Sequence, residues 1–166
     1  DMGYQVQEIC QCGLVVLAGG KKPGKCILIR GDMDALPMPE DTGLEFSSEN
    51  PGAMHACGHD LHMAMLLGAA KLLKEHEDEI EGTVKICFQP NEETFGGAKA
   101  MIEAGVLENP HVDAAFAIHV GSMADVGTLD YGKGLTMGSA DGFSIHVKGK
   151  GCHGAAPNSG ISPINI

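Results

Sequence analysis

Apolar residues fall in short runs broken by Gly, Pro and charged punctuation, and the period of the pattern changes from run to run. Gly3–Gln7 and Gly13–Leu17 read as two strands, followed by a Gly/Lys/Pro turn over Gly19–Gly24. Cys26–Arg30 (CILIR), Thr83–Phe88 and Asp113–Ile118 (DAAFAI) are nearly continuous apolar runs of strand length, the pattern of strands covered on both faces. Between them the period lengthens. Met63, Leu66, Leu67, Ala70 and Leu73 recur at helical spacing and predict an amphipathic helix from Asp60 to His76, with Asp60 near its start. Gly96–Ala104 predicts a second helix, closed by Gly105. Strand, helix, strand, helix, strand is the order of an α/β domain, here a mixed, mostly parallel sheet covered by helices and joined by right-handed crossovers.

Two stretches depart from that order. Gly31–Asn50 is rich in Pro, Gly, Asp and Ser and reads as a long loop, which is uncommon inside a domain unless it has a function. Beyond His119, Val126–Tyr131 and Gly142–Lys148 (GFSIHVK) alternate like half-exposed strands between Gly-rich turns. A smaller α+β part is expected to begin near Ala140, dividing the chain into residues 1–138 and 139–166.

Composition narrows the partner class. With 22 acidic against 11 basic residues and a formal net charge of −11, the chain lacks the general field that draws nucleic acid or anionic membrane. A small molecule or metal is the better partner. The acidic run Glu75–Glu81 (EHEDEIE) reads as a solvated helix end. Cys10, Cys12, Cys26, Cys57, Cys87 and Cys152 do not form a disulfide framework, several lie in apolar runs, and a reducing, cytoplasmic setting fits them. No apolar run approaches the ~20 residues of a membrane span, and no secretory leader opens the chain. Asp1 and Ile166 look like abrupt ends, as if both were cut from something longer.

Position then picks out chemistry. Ligands of open α/β sheets bind at the carboxyl ends of the strands. Asp32 and Asp34 follow the first buried run, Glu92 and Glu93 the second, and His119 the third, while Cys57-Gly58-His59-Asp60 stands at the mouth of the long helix. All four clusters can meet at one sheet edge. Thiolate, imidazole and carboxylate together are the ligands of a transition-metal site. Cys57 and His59 would point to one side of an extended segment, though a C-x-H in a loop is also commonly structural. Glu92 and Glu93 would point in opposite directions and could divide ligation from work on substrate, or be surface charge. His119 could be a ligand or a core histidine. His153, in the glycine-rich turn Gly151–Gly154, is either exposed and mobile for function or simply solvated. His55, His62, His76, His111 and His146 are assigned no role.

Five runs together carry a resemblance: Arg30–Pro37 (RGDMDALP), Met54–His62 (MHACGHDLH), Phe88–Glu93 (FQPNEE), Ala117–Val120 (AIHV) and Gly149–Pro157 (GKGCHGAAP). In order and spacing they resemble the M20 family of metallopeptidases. The branch is that of N-acyl-amino-acid amidohydrolases, hippurate hydrolases, N-acetyldiaminopimelate deacetylases and plant auxin-conjugate hydrolases. The resemblance implies two divalent metal ions (Mn, Zn, Co or Ni) held by Cys57, His59, Glu93 and His119, with Glu92 as general base and Asp34 as a supporting carboxylate. It implies hydrolysis of the amide bond of an N-acyl amino acid or short peptide. It also makes residues 139–166 the start of a lid through which full-length members form homodimers, with His153 stabilising the oxyanion. Asn91, Cys152, Asn158 and Ser162 depart from the branch's usual alanine, glycine, histidine and aspartate. Family members are more than twice as long and carry a further histidine ligand. Two rivals follow: a metal-binding fragment or pseudoenzyme without turnover, and a closed structural zinc site at Cys57, His59 and His119. The isolated 166 residues are expected to be inactive or nearly so.

Overall fold

Successive side chains of a strand point to opposite faces, and here both faces are apolar. In the computed structural model, which describes residues 2–165, Val15, Leu28 and Cys87 enter one core with Ile9, Met101 and Val106. Their neighbours Val16, Ile86 and Phe88 enter a second core with Leu66 and Ala70. A sheet buried on both sides needs continuous apolar strands, which is why the runs do not alternate.

The strands are β1 (Gln7–Ile9), β2 (Gly13–Gly19), β3 (Lys22–Asp32), β4 (Glu81–Gln89) and β5 (Ala114–Ala117), with helices α1 (His59–Glu75) and α2 (Gly97–Glu103). They form one sheet in the order β1-β2-β4-β3-β5. The pairs β1/β2 and β2/β4 are antiparallel, whereas β4/β3 and β3/β5 are parallel. The expected mixed α/β sheet is therefore present. α1 supplies Leu66 and Ala70 to one core and α2 supplies Met101 to the other, so the two helices cover opposite faces.

Several expected boundaries move, each for a local reason. The first strand is Gln7–Ile9, not Gly3–Gln7, because the tight turn at Cys10–Cys12 forces the residues beside it to pair, Ile9 with Gly13 and Gln7 with Val15. Cys10 and Cys12 bend that turn with φ of 48° and 70°. The expected turn at Gly19–Gly24 shortens, since β2 runs to Gly19 and β3 begins at Lys22 with an irregularity before Cys26. β5 is an edge strand. Among the described residues it pairs with β3 alone, and its residues are exposed, correcting the reading of Asp113–Ile118 as a buried strand.

Lys85 sits inside β4 with only 2% of its surface exposed. Its Nζ donates to the carbonyls of Val106, Glu108 and Pro110 at 2.8, 2.9 and 2.9 Å. An ammonium has three donors and each finds an acceptor, so burial is compensated and the loop leading into β5 is tied to the sheet. Burial nevertheless pulls the lysine below its ordinary pKa, and the charges of Cys26 and Glu108 only partly restore it.

The chain divides into two compact units, Asp1–Met123 and Ala124–Ile166. Within the second, the described residues hold a single antiparallel bridge, Lys150 to Ile161, and a short 3-10 turn at Pro157–Ser159. Val126–Tyr131 and Gly142–Lys148 are not strands. Phe143, Ile145 and Val147 alternate as read, but all three are exposed, and a strand without a ladder partner has nowhere to put its N–H and C=O groups except water.

Candidate metal centre

The centre forms where three parallel strands end. Asp32 closes β3, and Glu92 and Glu93 lie in the turn after β4. His119 stands just beyond β5. α1 completes the group from above. Its buried residues are His59, His62, Leu66 and Ala70, spaced three and four apart on one helical stripe. The upper half of that stripe packs on the core, and its N-terminal half carries two imidazoles to the sheet edge.

The residue before α1, Gly58, adopts φ +82°, and a Cβ there would lie 2.5 Å from Val120 Cγ2. Glycine is required twice over, for the left-handed backbone and for the close approach of the strand end. This bend turns Cys57 and His59 into the same space. Cys57 Sγ lies 3.5 Å from His119 Nε2. His59 lies within reach of both acids, with Nε2 at 3.9 Å from Glu92 Oε2 and 3.9 Å from Glu93 Oε1.

The hydrogen bonds orient the imidazoles. His59 Nδ1 donates to the Asp34 carbonyl at 2.9 Å, and His119 Nδ1 donates to the Val120 carbonyl at 2.7 Å. Each ring therefore turns the lone pair of Nε2 inward, that of His119 toward the Cys57 thiol, the arrangement that backbone partners impose on metal-binding histidines. Asp34 Oδ2 accepts the Glu93 backbone N–H at 3.0 Å, so one residue holds both a histidine ring and the acidic turn. His59 Nε2 and Glu93 Oε1 are buried with no hydrogen-bond partner. Buried polar atoms without partners are rare and costly, and a cation between them would satisfy both. Cys57, His59 and His119 could share an ion, as could His59, Glu92 and Glu93. The donor set of sulfur, imidazole and carboxylate fits a divalent transition metal.

The electrostatics of the site favour a cation. Burial, then the adjacent Glu93 carboxylate and the charges of Glu92 and Asp32, push the Cys57 thiol above its ordinary pKa. The anions that disfavour a lone thiolate are those that would attract a cation, and a bound cation reverses the sign for the sulfur. For Asp32, burial alone would raise the carboxyl. The hydrogen bond from His62 and then the charge of Arg30 outweigh it and hold the group below the usual carboxylate range.

Sequence reasoning placed Asp34, Cys57, His59, Glu92, Glu93 and His119 at this edge, and the structure brings them together. His153 lies in the second unit, in an exposed turn where its Nδ1 accepts the Ala155 N–H at 3.2 Å. Two participants were passed over: Asp32 was noted only by position, and His62 was assigned no role. Both are buried, and His62 Nδ1 hydrogen-bonds Asp32 Oδ1. The signal for His62 was in the helical stripe, since extending the spacing of Leu66 and Ala70 backwards meets His62 and His59. His76 and His111, also assigned no role, pair on the surface with Glu79 and Glu108.

An open cleft of about 900 Å³ adjoins the centre. Its wall includes Cys57 and His119 together with Leu44, Phe46, Met54 and Leu61, so the long loop after β3 forms much of one side.

Comparison with known proteins agrees with the geometry. The chain is 52% identical to thermostable carboxypeptidase 1 of Saccharolobus solfataricus over 99% of its own length and 42% of that protein. It is 46% identical to the N-acyl-L-amino acid amidohydrolase of Geobacillus stearothermophilus over 89% of its length and 40% of the relative. It thus spans about two fifths of the curated relatives it matches. The crystal structure of the Bacillus subtilis YXEP protein, described as a dinuclear metal binding peptidase from the M20 family, superposes with a TM-score of 0.66 at 42% identity, covering 71% of this chain and 33% of that one. Residues 28–160, most of the chain, match the family model of peptidase family M20/M25/M40, and the chain belongs to that family.

Proposed function

We propose that this chain carries the metal-binding part of a hydrolase that cleaves the amide bond of N-acyl amino acids. The observation that carries the reading is the unpartnered, buried pair His59 Nε2 and Glu93 Oε1 beside the Cys57 and His119 contact. Cys57, His59, Glu93 and His119 would hold two divalent ions, of manganese, zinc, cobalt or nickel. When bound, such ions polarise a carbonyl and make water a better nucleophile at neutral pH.

The protein's own groups do the rest. Glu92 is the more exposed of the two acids, its side chain 36% accessible against 23% for Glu93, so it can meet substrate. Its carboxylate takes a proton from the water whose oxygen adds to the acyl carbonyl carbon. It returns that proton to the amine nitrogen as the C–N bond breaks, leaving a carboxylate and an amino acid. Asp34 keeps His59 and the acidic turn in register through the hydrogen bonds described above. The cleft lined by Leu44, Phe46, Met54 and Leu61 suits an apolar portion of the substrate. By the family reading, residues 139–166 begin a lid that also pairs two copies, and His153 donates to the oxyanion when it closes. Six free thiols suit a reducing, cytoplasmic compartment. Among the described residues no helix is long and apolar enough to cross a membrane.

A second reading is that these residues bind metal without turnover. One set of measurements separates the readings: metal content, hydrolysis of N-acetyl amino acids, and circular dichroism with and without chelator. Turnover that is lost on chelation and in Glu92→Gln, with metal content unchanged in the variant, supports the hydrolase. Metal uptake with no turnover selects the second reading. Unfolding on chelation marks a closed structural site, and failure to take up metal sinks all of them.

A further inference from the structure

His62 sits on the same stripe of α1 as His59, 3% exposed, and both of its ring nitrogens are engaged. Nε2 accepts the backbone N–H of Val120 at 3.0 Å. A backbone amide can only donate, so Nε2 carries no proton and the ring's single proton is on Nδ1. Nδ1 faces Asp32 Oδ1, an ionised carboxylate that can only accept. The two contacts thus require one tautomer of a neutral ring.

Each end of this bridge is itself held. Asp32 Oδ2 takes an ion pair from Arg30 at 2.7 Å, and Arg30 Nε donates to Gln89 Oε1 at 2.8 Å, so the ends of β3 and β4 are joined. At the other end, Val120 packs its Cγ2 where Gly58 leaves room, and its carbonyl accepts the Nδ1–H of His119 at 2.7 Å. Val120 therefore receives His62 at its nitrogen and orients His119 with its oxygen. The His62 and His119 rings stand edge to face with centroids 4.6 Å apart. The loop after β5 has no ladder partner at this point among the described residues, and this bridge, with the contact of His119 to Cys57, anchors it.

We infer that His62 is a positioning residue for the metal centre: as an Nδ1–H imidazole it clamps the Val120 amide to Asp32 and thereby sets His119 Nε2 opposite Cys57. This rests on the reading of His119 as a ligand. Asp32, His59 and His62 stand close enough to share an ion, but a ring with both nitrogens occupied has no lone pair left to give.

Long-range proton–nitrogen NMR of the full chain tests the tautomer without any substitution. The expected spectrum shows Nδ1 of His62 as the protonated nitrogen and Nε2 as the bare one, unchanged when zinc is added. Movement of the His62 Nε2 resonance on zinc addition would make it a ligand and overturn the inference. Two half-mimics then separate the halves of the bridge. His62→Gln reaches the Nε2 position and still accepts from Val120, whereas His62→Asn reaches only the Nδ1 position and still donates to Asp32. Zinc affinity should fall by about 10- to 100-fold in His62→Asn, with faster hydrogen exchange of the Val120 amide, and should be largely kept in His62→Gln. Equal losses in both variants with unchanged Val120 exchange would overturn the clamp. If the unsubstituted chain takes up no zinc, the proposed function fails, while the tautomer and the Val120 exchange in metal-free protein still decide this inference.

Discussion

The stretch Cys26–Arg30 of β3 and the segment Gly142–Lys148 carry comparable numbers of apolar residues, yet one is an interior strand of a sheet and the other is exposed backbone. Cys26 and Leu28 are 3% and 5% exposed, while Phe143 and Ile145 are 85% and 77% exposed. The difference lies in partners. β3 has β4 on one side and β5 on the other, both in parallel register, and helices on the faces. Gly142–Lys148 has no ladder at all among the described residues. An apolar period is a demand for burial, and whether the demand is met depends on residues distant in sequence.

The sharpest way to break the contrast is by glycine substitution. A Cβ on Gly97 would lie 1.6 Å from the carbonyl oxygen of Pro90 and 2.7 Å from its carbon, both backbone atoms. Gly97 also donates its N–H to Asn91 at 3.1 Å, closing the turn that presents Glu92 and Glu93. Gly97→Ala must therefore displace the acidic turn or the start of α2. A loss of more than about 4 kcal/mol, in the range reserved for severe strain, is expected by urea denaturation. Gly142 has no atom within 4 Å of the same added carbon, and Gly142→Ala should stay within about 0.5 kcal/mol. Similar values for the two would mean that the second unit is as tightly built as the first.

A smaller effect sharpens the same contrast in the apolar side chains. Ile86 is fully buried in the core beneath α1, and Ile86→Ala should cost about 2 to 5 kcal/mol through lost transfer energy and the cavity left behind. Ile145, at 77% exposure, has little to lose, and Ile145→Ala should be neutral within about 0.5 kcal/mol. Thermal and chemical denaturation measure both. A costly Ile145→Ala would show that Gly142–Lys148 is buried by something in solution.

What could be read in the sequence follows the same line. The runs that became β3, β4 and β5 and the long helix were legible because their periods are local properties. So was the convergence of Asp34, Cys57, His59, Glu92, Glu93 and His119, since strand ends in an α/β sheet share an edge. His62 was not, because a histidine adds nothing to an apolar count, and its value lies in Asp32 and Val120, each far away along the chain. Lys85 was hidden for the same reason: inside VKICF it reads as a blemish, and only the carbonyls of Val106, Glu108 and Pro110 explain its burial. The error after His119 is the converse, a correct alternation with no partner to complete it.

Metal binding should widen the gap between the units. The candidate ligands Cys57, His59, Glu93 and His119 all lie in the first unit, so an ion that binds only the folded site stabilises that unit. At 100-fold excess over its dissociation constant the gain is about 2.7 kcal/mol. Manganese is the suitable probe, because unfolded cysteines hold it less well than zinc and the reference state is then less perturbed. Hydrogen exchange read by mass spectrometry should slow in peptides spanning His59–Glu75 and Glu81–Gln89, the helix and strand that carry the stripe histidines and precede the acidic turn. Peptides from Gly142–Lys148 should exchange at the same rate with and without the ion, as unpaired amides do. Slowing of equal size in both regions would mean that the ion acts on the whole chain. Slowing in neither would remove the ion from the site and leave the unpartnered nitrogen of His59 without a physical reason for its burial.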